Sequence, residues 1–400
     1  MLELGLVGKP NTGKTTFFNA ATLADAPIAS YPFTTIDANI GVAYVRSECP
    51  CQELNVSCDP KNSRCINGTR YTPVRVIDVA GLVEGAYEGK GLGNQFLDNL
   101  RMASVLIHLI DASGGTNAEG EPVDPGDHDP VEDVEFLENE IDQWLFGMLS
   151  EGWSRFARKA HLEKEDISKS ISERLSGLGI KRQDVSSALR SADVDSESLE
   201  KWSEDDIFDF ARSLRKISKP ILLGANKIDV PKGKENYDRL SELDYPVIPM
   251  SCESELILRR AAEKDLIEYH PGESKFKITN DEKINKKQKK ALNSVQKLLE
   301  EWGSTGIQKA IDKAIYDLLE KIVVYPVDDE NKLTDAKGNV LPDAMLVPKG
   351  ITAREFAYEI HSDLGDSFIH AINARSNRRI GEDYKLKNGD IIRIVAAKGR

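Results

Sequence analysis

The chain of 400 residues has no long apolar run, since its longest, from Val105 to Ile110, is interrupted by His108. A helix that crosses a bilayer needs about 20 apolar residues, so no membrane partner is expected. No charged and then apolar leader precedes the strand-like stretch from Leu2 to Val7, which predicts a cytoplasmic location. Acidic residues outnumber basic ones by 66 to 53, and the resulting net charge of -13 argues against a protein that wraps nucleic acid over its whole surface.

Basic residues are locally dense in two stretches of the chain. The C-terminal end holds eight basic residues against three acidic ones, the basic ones being Arg375, Arg378, Arg379, Lys385, Lys387, Arg393, Lys398 and Arg400. A second cluster opens a helical pattern and consists of Lys283, Lys286, Lys287, Lys289 and Lys290. Each stretch is either a contact for RNA or a solvated face, and the sequence leaves both interpretations open.

A glycine-rich segment, Gly8-Lys9-Pro10-Asn11-Thr12-Gly13-Lys14-Thr15, follows the first apolar stretch. It is typical of a phosphate-binding loop between a strand and a helix, because its glycines let backbone N–H groups point at phosphate oxygens. Lys14 can reach the β and γ oxygens, and the Thr15 hydroxyl can ligate Mg²⁺. A turn without a ligand is the alternative. The candidate nucleotide-binding residues here are Gly8, Asn11, Thr12, Gly13, Lys14, Thr15 and Thr16.

Strand-like and helical patterns alternate as far as Met250, which predicts a parallel-rich sheet flanked by helices. Strands are expected at 2–7, 74–77, 105–110, 221–225 and 247–250. Three of them end at Gly8, Asp78 and Asn226, and ligands of open α/β sheets bind beyond the carboxyl ends of the strands. One site could therefore collect all three. His108, inside a strand, is interpreted as a core histidine with its hydrogen bonds satisfied rather than as a catalyst.

Three domains are predicted, and the fold class is α/β. A P-loop NTPase domain spans 1–128 and 215–320. A helical subdomain is inserted at 129–214, where Asp129 and Pro130 are typical of a helix start. Residues 321–400 show short β-like runs at 322–327 and 391–395 around a helix at 353–363, which predicts a small α+β domain.

The strand at 74–77 leads into Asp78-Val79-Ala80-Gly81. Asp78 can hold Mg²⁺ through water, and the backbone N–H of Gly81 can meet a γ-phosphate. The glycine-rich stretch that follows is suited to being ordered by that phosphate. The residue after Gly81 is Leu82, which cannot hydrogen-bond to a water molecule. We therefore expect slow intrinsic hydrolysis that a partner or a monovalent cation accelerates.

A second signature, Asn226-Lys227-Ile228-Asp229, discriminates between bases. The Asp229 carboxylate can accept hydrogen bonds from N1–H and N2–H₂ of guanine, whereas adenine has no matching pair of donors. Asn226 is expected to tie this loop to the phosphate loop. Ser251 and Cys252, after the next strand, are placed to offer backbone N–H groups to guanine O6.

In this order, the motifs resemble those of the translation-factor-related GTPases. The segment Tyr31-Pro32-Phe33-Thr34-Thr35, with Gly41, is similar to the Obg-related branch, and the three-domain layout resembles the YchF group in its archaeal-type form. The resemblance implies a ubiquitin-like β-grasp (TGS) domain at the C-terminus. It also implies a switch that binds GTP, GDP and Mg²⁺ and acts with the ribosome or RNA.

The resemblance also implies residue roles. Thr35 would ligate Mg²⁺ when the triphosphate is bound, although the residues alone leave Thr34 as an equal candidate. Lys14, Thr35 and Gly81 are the candidate catalytic residues, and Asn11 could help hold K⁺ as in related GTPases. Many YchF members carry Glu in place of Asp229 and accept ATP, so Asp229 favours GTP. An ATPase, or a scaffold that hydrolyses nucleotide negligibly, remains the alternative.

Four of the five cysteines, Cys49, Cys51, Cys58 and Cys65, lie in one segment before Asp78. Four thiolates suit tetrahedral Zn²⁺, and a reducing cytoplasm argues against disulfides. Their spacing, C-x-C-x6-C-x6-C, lacks the paired C-x2-C of common zinc sites. Zinc binding and unligated thiols in a flexible loop are both open.

Overall fold

The computed structural model describes residues 2–22, 40–79, 85, 99–163, 166–195 and 198–397. Thr35, Gly81 and Leu82 lie outside the described residues. The described residues form two compact units. The first contains those up to 41 and from 75 to 310, and the second those from 42 to 74 and from 311 to 397. None of the described helices has the length and hydropathy to cross a bilayer.

The strands are β1 (Glu3–Val7), β2 (Ile40–Glu48), β3 (Arg64–Ile66), β4 (Thr69–Asp78), β5 (Val105–Asp111), β6 (Ile221–Asn226), β7 (Val247–Pro249), β8 (Ile267–Glu268), β9 (Lys277–Ile278), β10 (Lys321–Pro326), β11 (Met345–Pro348), β12 (Phe368–Asn373), β13 (Arg378–Ile380) and β14 (Ile391–Ala396). Each strand predicted from the sequence is present, with ends that differ by a few residues.

The helices are α1 (Lys14–Thr22), α2 (Pro50–Glu53), α3 (Pro130–Ser150), α4 (Trp153–Glu163), α5 (Ile167–Arg174), α6 (Arg182–Ser191), α7 (Glu204–Ser218), α8 (Gly233–Leu240), α9 (Cys252–Glu263), α10 (Lys286–Trp302), α11 (Ile307–Lys313), α12 (Ala353–Ile360) and α13 (Ser362–Asp366). A π-helical turn, Ala314–Leu318, follows α11.

In the first unit, a parallel sheet runs in the order β4-β1-β5-β6-β7. Every residue of β5 and β6 is buried, which is why apolar residues dominate both strands in the sequence. The predicted parallel-rich sheet is therefore confirmed. Its carboxyl edge brings the chain after β1, β4 and β6 to one side, where Gly8, Asp78 and Asn226 lie.

The inserted helices pack into the same unit. Asp129 caps α3 as predicted, since its side chain accepts a hydrogen bond from the Val131 N–H at 3.0 Å. Apolar residues of α3 such as Leu137 and Ile141 share a core with Phe210 of α7. A buried ion pair, between Arg215 and Asp142 at 2.9 Å, links the same two helices. Helix α3 is therefore anchored along its length.

The C-terminal part of the second unit is a five-stranded sheet with the order β11-β10-β14-β12-β13. β10 and β14 pair in parallel, the other pairs are antiparallel, and α12 packs on the sheet, which gives the expected β-grasp architecture. The predicted helix at 353–363 ends at Ile360, because His361 is extended, and α13 follows it.

Residues 42–74 belong to the same unit as the C-terminal strands. The boundaries predicted from the sequence place this segment with the phosphate loop instead. The domain boundaries at 129, 215 and 321 stay a prediction. The grouping of residues 42–74 with 311–397 could not be predicted from any local sequence pattern.

Candidate nucleotide-binding site

The predicted phosphate loop lies between β1 and α1 in a conformation that needs its glycines. Gly8 and Gly13 have φ angles of 140° and 102°, and Asn11 is also left-handed at 62°. A Cβ atom on Gly8 would lie 2.5 Å from the carbonyl oxygen of Leu109. Hydrogen bonds within the loop hold its shape, because the Thr12 hydroxyl donates to the Lys9 carbonyl at 3.0 Å. Such a curled loop presents backbone N–H groups to an anion.

Lys14 is folded back onto the loop. Its ammonium group donates to the Lys9 carbonyl at 2.8 Å, and the side chain is buried. Burial lowers the pKa of Lys14 to about 8, although the charge of Asp78 opposes that change. A phosphate group beside this ammonium would supply the negative charge that the buried site lacks.

The two described residues of the predicted magnesium site lie together. The Thr15 hydroxyl donates to Oδ2 of Asp78 at 3.0 Å. Burial raises the pKa of Asp78, while the Thr15 hydrogen bond and the Lys14 charge lower it. A hydroxyl and a carboxylate are the oxygen donors that Mg²⁺ prefers, so the donor set fits the metal. The third predicted ligand, Thr35, and the γ-phosphate contact Gly81 lie outside the described residues.

Asn226 connects the predicted base-binding loop to the phosphate loop. Its amide nitrogen donates to the Thr12 carbonyl at 2.8 Å, and its amide oxygen accepts from the Cys252 N–H at 3.0 Å. A Cβ atom on Gly13 would lie 2.1 Å from this amide nitrogen, so glycine is needed for the approach. The predicted tie is confirmed, and one side chain joins three loops.

The other residues of the base-binding set follow the same edge. Asp229 is exposed, which leaves its carboxylate free to face solvent or a base. Ser251 caps α9 by accepting a hydrogen bond from the Ser254 N–H, and Cys252 begins that helix and is buried. The backbone around Ser251 and Cys252 is thereby fixed beside Asn226.

Asp111 is a site residue that the sequence reasoning missed. It ends β5 and accepts a hydrogen bond from Lys227 at 2.7 Å, as well as from Ser113 and Thr116. Although burial raises the pKa of Asp111, these hydrogen bonds lower it below its usual value. The available signal was its position, since Asp111 follows a buried strand as Asp78 does. It fixes Lys227, whose backbone is left-handed at a φ of 63°.

Helix α3 contacts the phosphate loop through a buried ion pair. Lys9 lies 2.7 Å from Oδ1 of Asp133, and both side chains are almost fully buried. The same carboxylate oxygen lies 2.8 Å from Nε2 of His128. Farther along the helix, Glu140 accepts a hydrogen bond from the Gly85 N–H at 2.9 Å. One helix therefore touches both the phosphate loop and Gly85.

His108 is buried in β5, as predicted, but it is not fully satisfied. Its Nδ1 has no hydrogen-bond partner in the described part of the chain. Burial, together with the charges of Lys14 and Lys9, lowers the pKa of His108 to about 3 from 6.5. The neutral imidazole is therefore part of the folded state.

Acid should destabilise the protein through this histidine. Because the unfolded chain binds a proton near pH 6.5 and the folded one only near pH 3, stability is lost as the pH falls between these values. At pH 5 the loss is about 2 kcal/mol of unfolding free energy. Denaturant unfolding from pH 7 to 5 should show a shallower pH dependence for His108→Gln, whereas exposed His161→Gln should match the wild type. Equal slopes for all three proteins would contradict this assignment.

The four predicted zinc ligands also come together, in the second unit. Ligand atoms of Cys49, Cys51, Cys58 and Cys65 all lie within 4.8 Å of one another. Cys49 and Cys51 are buried, and the segment contains α2 and β3. The expectation of a flexible loop is therefore wrong for these residues, because the segment packs against apolar residues of the C-terminal strands, whereas zinc binding stays a prediction.

A phosphate loop, a threonine and an aspartate beside it, and an Asn-Lys-Ile-Asp loop on one edge of a parallel sheet define a P-loop GTPase. Sequence families agree over most of the chain. Residues 3–144 match the 50S ribosome-binding GTPase family, residues 224–329 the G4 motif-containing domain of the Obg-like, YGR210-like GTPases, and residues 337–396 the TGS domain.

Relatives match over the full length. A protein of Methanocaldococcus jannaschii named as an uncharacterized GTP-binding protein is 51% identical over 99% of this chain and 100% of its own. The ribosome-binding ATPase YchF of Bacillus subtilis is 28% identical over 98% of both chains. The crystal structure of a GTP binding protein from Pyrococcus horikoshii superposes with a TM-score of 0.80 at 42% identity, covering 99% of this chain and 100% of that one. The chain belongs to the YchF group of the Obg-like GTPases.

Proposed function

We propose that this protein is a GTP-binding switch that hydrolyses GTP slowly and acts with the ribosome or RNA in the cytoplasm. The observation that carries the proposal is the position of Asn226, which joins the phosphate loop to the loop of Asp229. One nucleotide can then have its phosphates at Lys14 and its base at Asp229. The carboxylate of Asp229 would accept the two donors of guanine that adenine lacks.

Mg²⁺ is the cofactor that this site would hold. Thr15 and Asp78 supply oxygen donors, and Thr35 would add a third from outside the described residues. Mg²⁺ keeps several of its waters and takes few protein ligands, which suits so small a set. When bound, Mg²⁺ would neutralise negative charge on the phosphates.

Hydrolysis would rest on few groups. Lys14 and the Gly81 N–H would stabilise charge on the γ-phosphate, but Leu82 leaves the attacking water without a side-chain partner. The intrinsic rate should therefore be low. Asn11, whose amide is held by the Gly120 carbonyl at 2.8 Å, would help to hold K⁺, and a bound partner would supply the rest.

Helix α3 is the element that would report the nucleotide state. Its Asp133 is paired with Lys9 of the phosphate loop, and its Glu140 accepts from Gly85. Movement of either loop on hydrolysis would change a buried polar contact of this helix, which is costly to leave unmade. The inserted helices would in this way change with the nucleotide.

The C-terminal sheet offers a surface for the proposed partner. A cleft of about 590 Å³ is lined by several basic side chains together with Tyr384 and Asp390, the basic ones being Arg375, Arg378, Arg379 and Lys387. Arg378 and Arg379 are exposed on β13. Guanidinium groups bind phosphate oxygens, and a tyrosine ring can stack on a base, so RNA fits this surface. Relatives named as ribosome-binding ATPases support a ribosomal source for that RNA.

Replacing Arg378 and Arg379 together with alanine should weaken association with ribosomes about 10- to 100-fold. Each lost phosphate contact should also reduce the salt slope of binding by about one. Sedimentation with ribosomes at several salt concentrations measures both quantities. The matched control is Lys332→Ala with Lys337→Ala, which removes the same charge from exposed positions outside the cleft. If both double variants bind equally, the cleft is not the ribosomal contact.

Single-turnover GTP hydrolysis with and without ribosomes tests the proposal as a whole. We expect a slow rate for the protein alone and a faster rate with ribosomes. A rate of tens per second without a partner would contradict the inference from Leu82. Negligible hydrolysis in both conditions would indicate a nucleotide-stabilised scaffold instead.

A further inference from the structure

The four clustered cysteines have the dimensions of a mononuclear metal site. The Sγ atoms of Cys51 and Cys65 are 3.7 Å apart, and those of Cys49 and Cys58 are 4.0 Å apart. A zinc ion bound tetrahedrally at Zn–S distances of about 2.3 Å separates its sulfur ligands by about 3.8 Å. Both observed separations agree with this expected distance between sulfur ligands. A four-iron cluster does not fit, because its cube of iron and sulfide holds the cysteine sulfurs farther apart.

The backbone around these cysteines is tightly held. The Cys49 N–H donates to the Gly68 carbonyl at 2.8 Å, which places α2 against the hairpin of β3 and β4. In that hairpin Cys65 lies opposite Arg70. Two further N–H groups of the segment, those of Asp59 and Lys61, donate to the carbonyls of Val340 and Pro342. The cysteines are therefore held in place by C-terminal residues of the same unit.

Arg70 supplies an independent observation that an anion belongs here. Its side chain is fully buried, and one guanidinium nitrogen donates both to Sγ of Cys49 at 3.4 Å and to the Leu341 carbonyl at 3.0 Å. Arg70 also donates to the Ser63 hydroxyl at 3.0 Å and lies over the Tyr325 ring. Among the described residues no carboxylate lies within ion-pair distance of it, since Asp343 acts on it only from farther away, and its Nε has no hydrogen-bond partner. A buried cation without a negative charge in direct contact is costly. Four thiolates around Zn²⁺ carry a net charge of -2 and would remove that cost.

We infer that Cys49, Cys51, Cys58 and Cys65 bind one structural Zn²⁺ ion, with Arg70 as a positioning residue that neutralises and orients the thiolates. The ion would cross-link residues 49–65 and so hold this segment in the shape in which the N–H groups of Asp59 and Lys61 reach the carbonyls of Val340 and Pro342. Four protein ligands leave no open position, so the site is structural rather than catalytic. The proposed zinc site shares no residue with the nucleotide site, so a test of one does not decide the other.

Metal analysis of the full-length protein, purified with reductant and without added metal, is the direct test. We expect one zinc per chain and a tetrahedral thiolate spectrum when Co²⁺ replaces it. Cys58→Ser should lose the zinc, whereas Cys252→Ser, at the fifth cysteine, should keep it. Less than half an equivalent of zinc in the wild type, iron in its place, or two disulfides in a non-reduced sample would overturn the assignment.

The role of Arg70 has a separate readout. Arg70→Met should weaken zinc affinity about 10- to 100-fold in competition with a chelator while the cobalt spectrum stays tetrahedral. Arg70→Lys should restore part of the affinity, because it returns the charge without the planar donors. Unchanged affinity in Arg70→Met would exclude the positioning role.

Limited proteolysis tests whether the zinc ion keeps the cysteine segment folded. Trypsin should cleave after Lys61 or Arg64 at least 10-fold faster once a chelator has removed the zinc, and added zinc should restore the protection. The same cleavage rate with and without zinc would show that the ion does not hold this segment.

Discussion

Replacing Asp229 with asparagine should lower the affinity for GTP by about 100- to 10,000-fold, because two hydrogen bonds from guanine to a carboxylate are lost. The asparagine amide would instead place a donor against the amino group of guanine. Xanthine carries a carbonyl at that edge, so the variant should bind xanthosine triphosphate better than GTP. Fluorescent-nucleotide competition measures all of these affinities.

The matched control is Asp238→Asn, an exposed aspartate on α8 that makes the same change of charge. It should leave nucleotide affinity unchanged. If the wild type binds ATP as tightly as GTP, and Asp229→Asn changes neither affinity, the site does not read guanine. The protein would then act as an ATPase, as the named Bacillus subtilis relative does.

The second large effect is expected at Lys14. Lys14→Met should reduce single-turnover GTP hydrolysis about 100- to 1000-fold, since a donor to the phosphate charge is removed from a water-poor site. Folding should not suffer. Burial disfavours the charge of this lysine in the free protein, so methionine should leave the free energy of unfolding unchanged or raise it. Hydrolysis and thermal unfolding, measured on the same samples, separate the two effects.

Lys9 provides the contrast, because it lies in the same loop and has a different partner. Lys9→Met would leave the buried carboxylate of Asp133 without its cation, which costs about 3 to 5 kcal/mol of stability. Lys14→Met should therefore lose hydrolysis without losing stability, whereas Lys9→Met should lose stability. If Lys14→Met proved the less stable variant, Lys14 would be a structural lysine and the loop would need another phosphate contact.

The parts of the site that lie at the ends of recognisable strands were predictable. The Gly8 to Thr15 loop, Asp78 and Asn226 each follow a buried strand, so their shared edge follows from the parallel order of the strands. The pairing of Lys9 with Asp133, and of Lys227 with Asp111, was not predictable, since each joins residues more than a hundred positions apart. Charged side chains in such pairs look like surface residues until the fold buries them.

The cysteine segment was misjudged for a similar reason. Its composition of Asn, Pro and Ser is typical of a loop, and the spacing lacks a familiar zinc signature. What orders it comes from far along the chain: the carbonyls of Val340 and Pro342, and the backbone oxygen of Leu341 that accepts from Arg70. No local pattern around Cys49 contains that information.

The single amide of Asn226, shared by three loops, limits how base preference can evolve in this scaffold. A substitution at position 226 would remove the hydrogen bonds to the Thr12 carbonyl and to the Cys252 N–H, and so disturb the phosphate loop and the proposed base-binding backbone together. If Asp229 binds the base as proposed, a substitution there should change base recognition alone, because its exposed side chain is not part of that junction. Lineages that exchange one purine nucleotide for another should therefore vary at position 229 while keeping the asparagine.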